Sequence, residues 1–323
     1  MSFLALIFAL TLNFYFPQSN AEKLKKNFFA ASHHLAISKT AEPQNKYNDI
    51  FTWILIVLLP STTIAVFFYF ANYFLPLFGF IINVIVLYFT LTLNGLFDKP
   101  VQIVAALRAY DNASANNLYR EWVPHDLEIS CNLNNTTIAR KSIEVSLQRA
   151  HYQLFAPILW FIVSSAIGLG ATGVVLYQLS KMLARKPIQT DTNMVPSEKS
   201  FSKQLFIWLD TPPAHLTGWG FAIMGDFEDA LYCWREQAAT LPNHTNYDKN
   251  KSIILTSGAG ALGVKLASNI TASNGASQST TEIGLGDNPD ADYLHSAIGL
   301  VWRTLILMLG LLLLFTFAYW LGT

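Results

Sequence analysis

Between Asp49 and Asp98 the chain runs for 48 residues, IFTWILIVLLPSTTIAVFFYFANYFLPLFGFIINVIVLYFTLTLNGLF, without one charged side chain. About 20 helical residues cross the hydrocarbon core of a bilayer, so the stretch predicts two spans joined by a tight connection near Ala71 to Pro76. A buried hairpin inside a soluble core is the rival reading, and the length argues against it. Composition points the same way. Of 323 residues, 52% are hydrophobic and 13% charged, where an ordinary soluble domain carries about 25% charged residues. Lys plus Arg equals Asp plus Glu at 21 each, so no basic excess draws the chain to nucleic acid. Cys131 and Cys233 are the only cysteines. Without a C-x-x-C or a Cys/His ligand spacing they indicate neither a disulfide framework nor a zinc site, and they fit a reduced, cytoplasm-facing chain.

Residues 299–323 read as a C-terminal transmembrane helix: beyond Arg303 the segment is uncharged, rich in leucine, and closes near the interfacial pair Tyr319 and Trp320. Residues 1–17 read as a short, retained N-terminal membrane helix, since no Lys or Arg precedes the apolar run as it would in a signal peptide. Residues 153–180 are long enough to span, but Gly168, Gly170 and Gly173 interrupt them. Glycine costs about 1 kcal/mol inside a helix relative to alanine, so a broken or re-entrant segment is expected. Asp210, Pro212, Pro213 and His215 make 205–224 a poor lipid-facing span, which predicts an interfacial or re-entrant segment. Lys and Arg gather in 18–50, 98–152 and 181–203, and such loops stay inside. The expected protein is a multi-pass protein of the bacterial inner (cytoplasmic) membrane with four full crossings and most loops cytoplasmic.

Within 98–155, DKPVQIVAALRAYDNASANNLYREW and TTIARKSIEVSLQRAHYQLF carry helical spacing, and Thr136 or Thr137 is available as a cap. No convincing alternation of strands and no internal repeat is visible. Residues 186–200 and 267–292, rich in Ser, Thr, Asn, Asp and Gly, read as linkers or mobile loops. The fold class expected is all-α: a polytopic integral membrane protein with broken or re-entrant helices and a mainly helical cytoplasmic portion. Its order is a helix over 1–17, a hairpin over 50–97, cytoplasmic helices over 98–152, the broken segment 153–180, interfacial helices and cytoplasmic loops over 181–298, and the last span. Gly258-Ala259-Gly260-Ala261-Leu262-Gly263 satisfies G-x-G-x-x-G, and Glu282 lies 19 residues beyond Gly263, roughly where a ribose-binding acid stands. That fingerprint works between two parallel strands. No second buried strand follows here, so glycines that allow close packing are expected, and no cofactor is.

Several islands, in order along most of the chain, carry a family resemblance. They are Tyr88-Phe89-Thr90-Leu91; Ile138-Ala139-Arg140 followed by Glu144; Ala156-Pro157 with Trp160; Tyr177; Leu209-Asp210 with Pro213-Ala214 and Leu216; Gly260-Ala261-Leu262-Gly263-Val264; and Pro289-Asp290-Ala291-Asp292. In this order the chain resembles the CobD/CbiB membrane-protein family of cobalamin assembly and its relative AmpE, which is associated with β-lactamase regulation. The glycine segment looks like that family's G-A-L-G-V, which implies no nicotinamide. The biosynthetic members join an aminopropanol-type unit to a corrinoid carboxylate. Their pattern beyond the equivalent of Glu144 has a second acidic residue, an Asn and an Asp, where Gln148, Arg149 and Tyr152 stand here. Asn13 stands where an Asp is expected, the acid after Tyr177 is missing, and KSIILTS replaces a polar run before G-A-L-G. These losses remove carboxylates that could bind a metal or activate an amine, and they make the AmpE-like branch the better match.

The ligand-binding candidates are Glu144, Asp210, Arg140, Tyr177, Gly260 and Gly263. Ionisable groups at membrane depth mark function. Against that, an i, i+4 pair with Arg140 alone would account for Glu144, and a helix cap would account for Asp210. His33, His34, His151 and His215 lack metal-ligand spacing, so no metal site is expected. The function expected is that of a sensor or regulatory partner in envelope or β-lactam-response signalling, without turnover. Its partners would be the lipid bilayer and a protein partner or a small envelope-derived or corrinoid ligand. The alternatives are a divergent corrinoid amide synthase, in which Glu144 and Asp210 orient substrate groups, and a transporter whose broken helices line a path.

Overall fold

Helices make up nearly all the regular structure in the computed structural model, which describes residues 2–16, 46–91, 93, 95–123, 133–184, 201–238, 246–268 and 281–322. His33, His34, Cys131 and the linker 186–200 lie outside the described residues. In chain order the helices are α1 (Ser2–Tyr15), α2 (Lys46–Trp53), α3 (Leu59–Phe74), α4 (Pro76–Thr90), α5 (Asp98–Arg108), α6 (Asn112–Trp122) and α7 (Asn135–Ala150). They continue with α8 (Ala156–Ala166), α9 (Thr172–Ala184), α10 (Phe201–Met224), α11 (Phe227–Tyr232), α12 (Asn246–Leu262) and α13 (Ala291–Gly322). Among the described residues, two helices are long and apolar enough to cross a membrane, Ile50–Phe74 and Ala291–Ala318, while Phe3–Tyr15 and Pro76–Thr90 are apolar but shorter. Only 22% of the apolar window in Ile50–Phe74 is covered by protein. A core helix of a soluble protein would be mostly covered, so the exposed Phe67, Tyr69, Phe70, Tyr73 and Phe74 fit a lipid surround.

The contacts divide the chain into two units, and the first comprises Met1–Asn94 and Gln153–Pro213. Pro60 has no N–H for the carbonyl of Ile56, and its ring would strike that oxygen in a regular helix; the chain opens into a π-helical turn over Ile54–Leu58 just before it. A second π-helical turn, His151–Phe155, precedes Pro157 in the same way. Leu75 precedes Pro76 and is driven out of the helical region, at φ −151° and ψ 121°, which turns α3 back into α4. α1 runs beside α4 in the same direction, with Phe8 on Phe80 and the Asn13 amide donating to the carbonyls of Tyr88 (3.0 Å) and Leu91 (2.8 Å). Asn13 thereby closes the end of α4, whose last carbonyls have no helical donor.

Gly168 and Gly170 adopt φ of 82° and 56°, and the chain reverses through them from α8 into α9. The turn is lodged between α3 and α4. Asn83 Oδ1 accepts the Ala171 N–H at 2.9 Å, Ser164 Oγ donates to the Gly170 carbonyl at 2.5 Å, and a Cβ on Gly170 would meet the Phe68 ring at 2.8 Å. Glycine is required there by both the backbone angle and the space.

The second unit comprises Gly95–Tyr152 and Ala214–Thr323. Asp111 caps α6 by accepting the Ser114 N–H at 3.0 Å, and Arg108 ties α5 to α13 through Asp292 at 2.7 Å. α7 is buried on nearly every side despite its polar sequence: Ser142, Ile143, Glu144, Ser146 and Leu147 are all covered. Within the stretch expected to be a loop from 267 to 292 there is order of a different kind. An antiparallel pair, β1 (Leu266–Ser268) and β2 (Thr281–Ile283), sets Leu266 opposite Ile283 and Ala267 opposite Glu282. Strands of three residues are too short for alternation to show in a sequence, and Glu282 is a strand residue rather than a ribose-binding acid.

The glycine motif belongs to this unit and lies at the end of α12, not at the start of a helix. Gly263 takes φ 62°, its N–H bonds the Gly260 carbonyl at 3.0 Å, and the Val264 N–H bonds the Ala259 carbonyl at 3.1 Å. That is a Schellman cap, with glycine at the left-handed position. A helix C-terminus presents carbonyls and negative partial charge, the wrong end for a pyrophosphate. The other glycines allow close packing: a Cβ on Gly258 would meet the Leu147 side chain at Cδ1, 2.6 Å away, and one on Gly260 would meet the backbone at Ala230 Cα, 2.6 Å away.

Candidate functional site

In the first unit, Tyr177 and Asp210 meet. The phenol donates to Asp210 Oδ1 at 2.6 Å, both residues are fully buried, and the Tyr177 ring lies against Phe206. Asp210 is not a helix cap. α10 passes through Pro212 and Pro213 without stopping, which places Asp210 in mid-helix. Pro213 has no N–H for the Leu209 carbonyl, and the indole of Trp160 fills that vacancy at 3.1 Å. An outside donor thus allows the helix to carry two prolines and still present Asp210 to Tyr177.

In the second unit, Glu144 is 7% exposed and receives an ion pair from Lys141 at 3.4 Å. Tyr119 of α6 stands close by. Its burial, and then the charge of Glu144, push its pKa up to about 12. Arg149 lies over the Trp122 ring at 4.9 Å and donates to the Trp122 carbonyl. The result is a buried carboxylate with a cation and a neutral phenol among its neighbours, a group whose chemistry is to accept hydrogen bonds and pair with ammonium groups. His151 Nδ1 lies 2.9 Å from Thr217 Oγ1, both fully buried. No group of three His, Cys, Asp or Glu placed to hold a metal occurs among the described residues.

The remaining candidates serve the glycine turn. Arg140 Nη2 reaches Asn288 Oδ1 at 3.4 Å, next to Asp287, whose N–H bonds the Gly263 carbonyl. Arg140 and Gly263 are thereby brought to one corner, while Gly260 faces the backbone of α11. Sequence reasoning missed Tyr119 and Trp122, which approach α7 from a separate helix and leave no spacing signal.

The fold and these centres define a class: an almost entirely helical protein with lipid-compatible apolar helices and, among the described residues, two buried carboxylates held by side-chain partners. Similarity to known proteins narrows it. The chain is 29% identical over 263 residues to the "Cobalamin biosynthesis protein CobD" of Stutzerimonas stutzeri, covering 79% of this chain and 78% of that protein. It is 28% identical over 237 residues to the protein of the same name from Chromobacterium violaceum, covering 71% and 69%. These likenesses support placing the chain in the CobD/CbiB family, as its motifs indicate. No protein-family model and no solved structure matches it.

Proposed function

We propose that the chain is a polytopic membrane protein that binds a corrinoid carboxylate during cobalamin assembly, in the manner of a divergent corrinoid amide synthase. The likeness to CobD proteins across 79% of the chain carries this reading in preference to a sensor role. Glu144 supports it: a carboxylate kept buried beside Lys141 is a ready partner for the amine of an aminopropanol-type unit. Asp210, held by Tyr177, is a second buried carboxylate, in the other unit.

One observation favours the regulatory, AmpE-like reading. Asn13 and Arg149, which stand where the family resemblance leads one to expect Asp and Asn, are both engaged in packing: Asn13 closes α4, and Arg149 clasps Trp122. Binding separates the two. The purified protein in detergent is expected to retain a corrinoid carboxylate through gel filtration, read by the corrinoid absorbance, and Glu144→Gln to weaken binding of an aminopropanol-type amine at least tenfold while corrinoid retention and circular dichroism stay unchanged. Absence of retention, under conditions where the Stutzerimonas relative retains the same compound, would favour the regulatory reading.

A further inference from the structure

The second half of α10 leaves one arc of its surface bare. Leu216, Trp219 and Ile223 fall within about 60° of one another at helical spacing, and they are 39%, 43% and 54% exposed. Phe227, at the start of α11, extends the arc, and Trp219 packs on it and on Trp234 at ring distances of 6.2 and 5.5 Å. From Thr211 to Gly225 the chain has no Asp, Glu, Lys or Arg, and then Asp226, Glu228 and Asp229 follow within four residues.

What lies beside this arc identifies its surroundings. Gly220 adjoins it and packs on α13: a Cβ there would meet Thr304 Cγ2 at 2.7 Å, and Thr304 Oγ1 lies 3.5 Å from the Gly220 carbonyl. α10 is therefore fastened to α13 one residue past Arg303, the last charged residue of that helix. A few residues further on, α13 loses most of its protein cover. Leu311, Leu313, Leu314, Phe315 and Phe317 are all exposed. At the level of the fastening, Trp302 stacks on Phe97 at 4.5 Å. Tryptophan at the start of a bare apolar helix, with charge just before it, is the composition of a membrane interface.

We propose that the bare arc of α10, Leu216, Trp219 and Ile223 continued by Phe227, rests in the lipid bilayer at the level where α13 enters it. The acidic run after Gly225 marks the return to water. This rests on reading α13 as a span.

Nitroxide accessibility tests it on the full chain in nanodiscs, in a Cys131→Ser, Cys233→Ala background. Labels placed by Leu216→Cys, Trp219→Cys and Ile223→Cys should be reached by oxygen at least several-fold more than by a water-soluble nickel chelate, with the opposite ratio for Glu228→Cys. Nickel reaching positions 219 and 223 as freely as 228 would overturn the proposal, as would exclusion of both agents, the sign of a protein cover. Leu313→Cys keeps the two claims separate: nickel access there defeats the span itself, whereas oxygen at 313 with nickel at 219 defeats only the arc. Quenching by lipids with brominated acyl chains provides a readout without cysteines, and Trp219→Phe should remove a measurable part of it. An unchanged quenching amplitude in that variant would count against the arc.

Discussion

Replacing Gly260 with valine is expected to be among the most damaging single changes in the second unit. A Cβ at that position already lies 2.6 Å from Ala230 Cα and presses on the Asp229 carbonyl, both of them backbone and unable to rotate away. Overpacking of this kind costs about 1–3 kcal/mol and more where the neighbour cannot shift, so the melting temperature of the detergent-solubilised protein should fall by several degrees. Adding NADH or NADPH should change neither the parent nor the variant, because the segment caps a helix C-terminus. A nucleotide-dependent rise in the parent that vanishes in Gly260→Val would contradict that assignment, and an unaltered melting temperature would contradict the packing.

Tyr177→Phe is expected to rank beside it in the first unit. Removing the phenol strips the 2.6 Å hydrogen bond from Asp210, which is 1% exposed. A buried acceptor that loses a donor costs about 1–3 kcal/mol, more if charged, whereas removing both partners together is far milder. Adding Asp210→Leu to Tyr177→Phe should therefore recover part of the loss, giving a non-additive cycle in thermal unfolding. Strict additivity would show that the two side chains do not depend on one another.

The helical class was legible because charge-free runs and 3.6-residue spacing are local properties, written into consecutive residues such as 50–97. The family likeness was legible from islands whose order survives divergence. What escaped depended on partners distant in sequence. Asp210 reads as a cap beside Pro212 and Pro213, whereas α10 continues through them with its Leu209 carbonyl taken by the indole of Trp160, 49 residues before it in the chain. The β1–β2 pair is three residues to a side and has no pattern to detect. The glycine motif satisfies a nucleotide fingerprint by spacing alone; the left-handed Gly263 and the bond from Val264 to Ala259 reveal it as the end of a helix. Tyr119 and Trp122 come to Glu144 and Arg149 from another helix, a meeting that tertiary structure alone decides.

The central claim is that this chain works in corrinoid assembly, and genetic rescue tests it most directly. Expressed in a bacterial strain lacking its CobD/CbiB enzyme, on medium where growth demands cobalamin made from an incomplete corrinoid, the chain is predicted to restore growth, and Glu144→Gln, at equal membrane abundance, to restore it poorly or not at all. Failure of the unaltered chain to support growth while the Stutzerimonas relative does so in the same strain would contradict the account.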